Sequence, residues 1–309
     1  MMVRGRQSGF VLVNALILVA AMSAAAVFLL ARAEDGRARL ASVQTGEALR
    51  ANLDAMEAFG NAVLSRDGRQ GAVDSPKDIW ARAIPGLDLE RGQVSGRITD
   101  EQGLFNLNWL SNPENERAAD AFDEILSRLG LGQQIGDAIA AYVSNAGPKN
   151  RNAYGQLDPG HVPLSGPILL LDQIAAIPEM SARDFDRLRP HVTALPVGTQ
   201  LNVNTASEMI LRAMLSELSG AQISSVLRQR DKEPYSDIEL FFEELGQPTN
   251  IEEDPEAIEI GQFSVQSTWF KGRFSAEIET YQAARNVLYL RGGGGRTATE
   301  WRITTFGED

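Results

Sequence analysis

The chain has 309 residues, 29 lysines and arginines against 41 aspartates and glutamates, and a formal net charge of −12. Holding phosphates takes clustered cations, so this balance argues against a nucleic-acid partner. With no cysteine, disulfides and thiolate metal sites are excluded, while a hydrophobic fraction of 43% leaves material for more than one compact unit.

Residues 1–9 form a short basic head, with Arg4 and Arg6, that ends in Ser8-Gly9; Phe10 then opens an apolar run to Ala31 broken only by Asn14 and Ser23. A helix over that run is roughly 33 Å long, enough to cross a ~30 Å hydrocarbon core. Basic residues before the run stay cytoplasmic, which predicts a single-pass membrane protein with the rest of the chain on the outer side, in the inner membrane and periplasm of a bacterium if the resemblance named below holds. A Gly-Phe junction in front of the apolar stretch resembles type IV prepilin leaders. Cutting between Gly9 and Phe10 would remove the leader, leave the hydrophobic helix on the mature protein and expose Phe10 for N-methylation. The alternative is a secretory signal cut near Ser23-Ala24-Ala25-Ala26, but Val27-Phe28-Leu29-Leu30 continue the run past that site, which a discarded signal does not require.

Polarity rises at Arg32, Glu34, Asp35, Arg37 and Arg39, while helix-permissive residues continue to about Arg66. Leu49, Leu53, Met56 and Val63 fall on one helical face, which predicts a single long helix, apolar all round and then amphipathic. Gly36, Gly46 and Gly60 weaken it locally. Strand candidates are 94–98 and 104–107, then 262–270, 274–281, 286–290 and 299–306, with Lys271-Gly272 read as a turn and Gly292 to Gly295 as a hairpin loop. Between them the texture is helical. Ser181 with Asp184, Thr205 with Glu208, Ser236 with Glu239, and Asn112-Pro113 mark helix starts. Helical hairpins are expected around Gly130, Pro178 and Gly220.

The leader, the long helix, Phe105-Asn106-Leu107-Asn108, the 171–196 segment with Ile177-Pro178-Glu179-Met180 and Leu188-Arg189-Pro190, and Leu201-Asn202-Val203-Asn204-Thr205-Ala206-Ser207 together resemble the GspK-type minor pseudopilins of type II secretion. The resemblance implies an α+β fold, a pilin-like N-terminal helix packed on an antiparallel sheet that carries a large all-α inserted domain of helix-hairpin-helix type. It divides the chain into a leader (1–9), a transmembrane helix (10–31), the periplasmic helix with the first strands (32–105), the insertion (106–257) and the remaining strands (258–309). It further implies a place at the pseudopilus tip with the I- and J-type minor pseudopilins, the H-type as a further neighbour, and contacts with prepilin peptidase and the inner-membrane assembly platform. Asn14, the fifth residue from Phe10, stands where most pilin-like subunits carry a glutamate; a neutral side chain there avoids a partnerless carboxylate in lipid. Ala20, Ala21, Ala24 and Ala25 let a partner helix approach closely. The calcium-associated loop of the family is degraded here: residues 140–147 offer Tyr142 in place of a tryptophan and no carboxylate, while Glu252, Glu253, Asp254, Glu256 and Glu259 form a separate acidic run able to collect calcium.

No catalytic constellation is legible. His161 and His191 are the only histidines and sit in no ligand or nucleophile motif, so no enzymatic activity is expected. The alternative function is a helix-hairpin-helix protein of DNA binding or uptake, suggested by residues 202–207 and the hairpin after them. Its turn, Leu218-Ser219-Gly220-Ala221, lacks paired glycines, Ile177-Pro178-Glu179-Met180 places an acid in the other turn, and Arg228 and Arg230 are the cations that would hold phosphate.

Overall fold

A computed structural model describes residues 8–71, 73–163, 165–247 and 260–308. Helix α1 (Ser8–Gln70) runs 63 residues without interruption, about 95 Å at 1.5 Å per residue. Every residue from Phe10 to Gln44 is exposed, and contact with the rest of the chain begins at Thr45. Beyond that point Leu49, Leu53, Met56 and Leu64 are buried. Leu64 takes the inward place expected of Val63, which is half-buried one helical step aside.

Strands β1 (Ile84–Asp88) and β2 (Gln93–Asp100) open the sheet, and β3 (Phe105–Asn106) leads out of it. There follow α2 (Glu116–Leu129), α3 (Gln133–Val143), α4 (Arg151–Gly155), α5 (Ala182–Leu188), β4 (Val192–Thr193), β5 (Leu201–Asn202), α6 (Glu208–Met214), α7 (Gly220–Lys232) and α8 (Ile238–Leu245). The chain returns through β6 (Phe263–Ser264) to β7 (Trp269–Ile278), β8 (Tyr281–Arg291) and β9 (Thr297–Glu308). The sheet order is β1-β2-β7-β8-β9, antiparallel throughout. Since β2 and β7 are neighbours, everything between them is a lobe inserted into one sheet.

The two bodies have separate cores. Phe270, Phe274, Ala276 and Ile278 alternate inward along β7 and meet Val94, Ile98, Val287, Tyr289 and α1. The helical lobe packs Phe105, Leu107, Phe122, Ile125, Leu211, Phe241, Phe242 and Phe263. The architecture is therefore the expected α+β one. The lobe also contains two parallel strand pairs, β3 with β4 and β5 with β6, which the all-α expectation did not include.

Several local expectations shift. Lys271-Gly272 is no turn but the middle of β7, because Gly272 gives its side-chain space to aromatic rings: a Cβ there would lie 2.6 Å from the Phe274 ring and 2.9 Å from that of Tyr289. Strand β1 lacks alternation and contains Pro85, which its place at the sheet edge tolerates. Of residues 104–107 only Phe105–Asn106 is strand; Leu107–Ser111 turns into a 3-10 helix. Ser181 caps α5 as expected, accepting from the Asp184 amide at 3.1 Å. For α6 the cap is Ser207, since the Thr205 hydroxyl is engaged elsewhere, and for α8 it is Asp237. Helix α2 starts at Asn115, three residues past Asn112.

Gly60 is where α1 touches the sheet most closely, as a Cβ there would stand 2.7 Å from Tyr289 Oη and 3.0 Å from Phe274 Cζ. Tyr289 cannot yield easily, being fully buried and donating its hydroxyl to the Glu57 carbonyl at 2.9 Å. Gly46, on the same helix, faces open space. The same substitution should therefore have opposite signs in urea unfolding of the detergent-solubilised chain: Gly46→Ala stabilises by about 0.5–1 kcal/mol, and Gly60→Ala destabilises by roughly 1–3 kcal/mol.

Candidate functional site

Three features of α1 and its surroundings form the site. The first is the free half of the helix. Phe10 is 71% exposed and Leu30 61%, with the apolar side chains between them comparably open, so the stretch is long and apolar enough to cross a membrane and packs against nothing among the described residues. Gly9, Phe10, Asn14, Ala20, Ala21, Ala24 and Ala25 all lie on this stretch. The pairs Ala20/Ala24 and Ala21/Ala25, four residues apart, each repeat along one face. No residue from elsewhere in the described chain approaches them. Leu40 and Val43, beyond the apolar run, are also widely exposed; their three-residue spacing inside a charged segment was the only signal, and sequence reasoning passed over it.

The second feature fixes the lower half of α1 on the sheet. Arg285 of β8 is buried and donates to Asp54 Oδ1 at 2.5 Å and Glu57 Oε2 at 2.9 Å. Glu57 also receives Arg302 at 3.2 Å and the Thr299 hydroxyl at 3.0 Å. Asp54 and Arg302 reach solvent, but Arg285 and Glu57 are buried, so removing either would leave the other an uncompensated buried charge; that pair favours one helix register.

The third feature joins the two bodies. Asp100, at the end of β2, is buried and accepts from the Thr205 and Ser267 hydroxyls at 2.6 Å each, from Asn202 Nδ2 at 3.1 Å and from the Gln102 amide at 2.8 Å. Burial pushes its carboxyl up to about 6, against the hydrogen bonds that favour the charged form. Gln102 Oε1 accepts from the amides of Thr268 and Trp269, so the outgoing and returning segments lie side by side. Two Asn-x-Asn motifs continue the pattern. Asn106 and Asn108 bond to the backbones of Leu195, Pro196 and Ile168, and Asn202 and Asn204 to those of Asp74 and Tyr235. The intervening Leu107 and Val203 point into the lobe core. Sequence reasoning noted both motifs without seeing that each asparagine amide closes a loop.

The remaining candidates take structural roles. His161 stands edge-on to the Tyr154 ring, and His191 offers its carbonyl to the Phe105 amide. Arg230, named with Arg228 for a phosphate contact, donates instead to the Val203 and Ala206 carbonyls at 2.8 and 2.6 Å. Gly220 begins α7 behind its cap Ser219. In the 140–147 loop Tyr142 is buried and stacked on Tyr154. The acidic run from Glu252 to Glu259 lies outside the described residues.

Two family models, both described as "Type II secretion system (T2SS), protein K", match residues 103–197 and 201–261, together half of the chain. The chain belongs to the protein K family of type II secretion. Curated relatives agree. The type II secretion system protein K of Pseudomonas aeruginosa is 28% identical over 210 residues, 62% of this chain and 62% of that protein; that of Aeromonas hydrophila is 26% identical over 325 residues, 93% and 94% of the two chains. The fold is also that of a chain in the crystal structure of the GspK-GspI-GspJ complex from the enterotoxigenic Escherichia coli type 2 secretion system, with TM-score 0.70 and 21% identity over 88% of this chain and 100% of that one. Protein K is a minor pseudopilin, a structural component of the secretion machine, and the exposed apolar helix fits a single-pass membrane anchor. Both Asn-x-Asn motifs fall inside the matched family regions.

The Asp100 carboxyl makes the junction sensitive to pH. Its folded pKa lies above the ordinary value, so the folded state holds a proton that the unfolded chain has released between about pH 4 and 6. The resulting stability is present below about pH 4 and lost as pH rises through 6, by up to roughly 3 kcal/mol. Asp100→Asn should remove this component. In urea unfolding of the detergent-solubilised protein, the wild type's standing relative to the variant should fall from pH 4 to pH 7; a gap constant over that range would exclude the effect.

Proposed function

We propose that this chain is a non-enzymatic minor pseudopilin that forms the tip of the type II secretion pseudopilus with I- and J-type minor pseudopilins, and with the H-type below them, initiating assembly for export of folded proteins. One observation carries the reading. A helix whose first half has no partner among the described residues is attached, through its second half, to a body enlarged by an inserted lobe. Such a subunit is built to be completed by neighbouring helices. The similar solved structure is that of a complex in which GspK, GspI and GspJ occur together, which supports these partners.

In this reading prepilin peptidase removes residues 1–9 and Phe10 becomes the methylated N-terminus. Residues 10–31 wait in the inner membrane, the rest lies in the periplasm, and the assembly platform draws the helix into a fibre. Asn14 leaves the fifth position neutral. Ala20, Ala21, Ala24 and Ala25 give partner helices a close approach, worth about 1 kcal/mol or less per polar or packing contact in lipid.

Intact-mass and N-terminal peptide analysis of protein purified from a secreting bacterium should find a chain that begins at N-methylated Phe10; one beginning near Val27 would reject the anchor. Replacing Ala21 and Ala25 with leucine should lower co-purification of the I- and J-type subunits several-fold, and unchanged yields would remove that face from the interface. Replacing residues 104–266 with a short linker should move the subunit from the tip to positions along the fibre; retention at the tip alone would reject capping by the lobe.

A further inference from the structure

At the far end of α1 three carboxylates converge. Asp67, in the last turns of the helix, and Asp74 and Asp78, on the connector toward β1, each offer an oxygen, and these oxygens lie within 4.8 Å of one another. One internal cation already faces them. Arg291, at the end of β8, donates to Asp67 Oδ2 at 2.8 Å, to Asp74 Oδ2 and to the Ser267 carbonyl at 2.8 Å, with its guanidinium 4.6 Å over the Phe270 ring. Asp74 Oδ2 also accepts from the Ser267 amide at 2.8 Å, and Asp78 accepts from the Ser75 amide at 2.7 Å.

Asp74 Oδ1 is left over. It is buried, on a residue only 1% exposed, and has no hydrogen-bond partner. Burying a carboxylate oxygen without a donor is costly, and its persistence beside two further carboxylates points to a ligand that needs an oxygen without a proton. The charge count agrees: three carboxylates against one guanidinium leave two negative charges. The carbonyl end of a long helix adds partial negative charge at the same place. We propose that Asp67, Asp74 and Asp78 bind a hard divalent cation, calcium by their all-oxygen chemistry, with water completing the shell.

This site would bind the parts that the junction already gathers. Asp74 receives Asn202 on its carbonyl and donates its amide to Val265, so one residue links the end of α1 to both sides of the lobe's attachment. A cation held there ties spine, connector and lobe together. It uses none of residues 140–147 and none of the acidic run at 252–259.

The test uses the full chain in detergent, stripped with a chelator. Adding 10 mM calcium chloride should raise the thermal midpoint by about 3–5 °C, given the weak affinity usual of extracellular calcium modules. Asp67→Asn and Asp78→Asn should each lose most of that shift, whereas changing Glu252, Glu253 and Asp254 to their amides should leave it intact. Terbium gives a readout that does not depend on the acidic variants folding. Trp80, buried two residues past Asp78, should sensitise terbium emission that calcium displaces, and Trp80→Phe should weaken the emission while keeping the calcium shift. No shift in the wild type, a full shift in both aspartate variants, a shift lost with the 252–254 changes, or emission unaltered by Trp80→Phe would each overturn the proposal.

Discussion

A helix that meets two solvents governs this molecule. From Phe10 to Gln44 nothing among the described residues covers α1, a free length of about 52 Å, while a bilayer core would shield only ~30 Å of it. Some 20 Å of uncovered helix must therefore stand between the membrane and the sheet. Charged residues from Arg32 to Arg39 make that segment compatible with water, but Leu40 and Val43 remain exposed within it. The lower half has the opposite problem. There the helix is held on the sheet by Leu49, Leu53 and Leu64 and fixed in register by Arg285 between Asp54 and Glu57. Apolar contact alone would tolerate a slide of one turn; a buried ion network would not, since sliding strands its charges.

The inserted lobe imposes a second requirement. A chain that leaves a sheet between two adjacent strands must bring its polar backbone through the boundary between two hydrophobic cores, where water cannot reach every group. The asparagines solve this because one amide can accept from an N–H and donate to a carbonyl at once. Asn108 does so with both backbone groups near Ile168, and Asn204 with those of Tyr235. Such bonds require fixed geometry, so they hold the lobe's own loops in place, while Asn202, bonded to the Asp74 carbonyl and to Asp100, ties the lobe to the sheet.

The large features were legible in the sequence because they rest on period and length. The apolar run, the stripe at Leu49, Leu53 and Met56, the hairpin at Gly130 and the interrupted sheet each follow from one-dimensional patterns. What was missed depends on contacts distant in sequence. Gly272 reads as a turn residue unless the rings of Phe274 and Tyr289 are known to fill its space. Thr205 reads as a helix cap, but a carboxylate 105 residues earlier in the chain holds its hydroxyl. Arg291, Asp67 and Asp74 likewise form one cluster from three separate elements, and no spacing rule joins them. The free helix is the converse case: its residues could be named from sequence because no tertiary contact modifies them.

The two ends of α1 point to the same place in a fibre. Near the membrane end the fifth residue from Phe10 is the neutral Asn14, which in the proposed reading offers no charge for a neighbour's terminal amine to pair with. At the other end, Asp74 and Arg291 join the helix terminus to the lobe through Val265, Asn202 and Ser267. In the proposed reading the bulk of the lobe would occupy the space into which the helix of a subunit stacked above descends. Either feature alone could be neutral, since an asparagine can bond within its own helix and a lobe can be accommodated at the side. In the proposed reading the two together leave neither an electrostatic reason nor space for a preceding subunit, while the exposed apolar half of α1 is left for neighbouring helices to cover. A subunit completed from one side only would stand at the end of an assembly, and on this reading the asymmetry is built into a single helix.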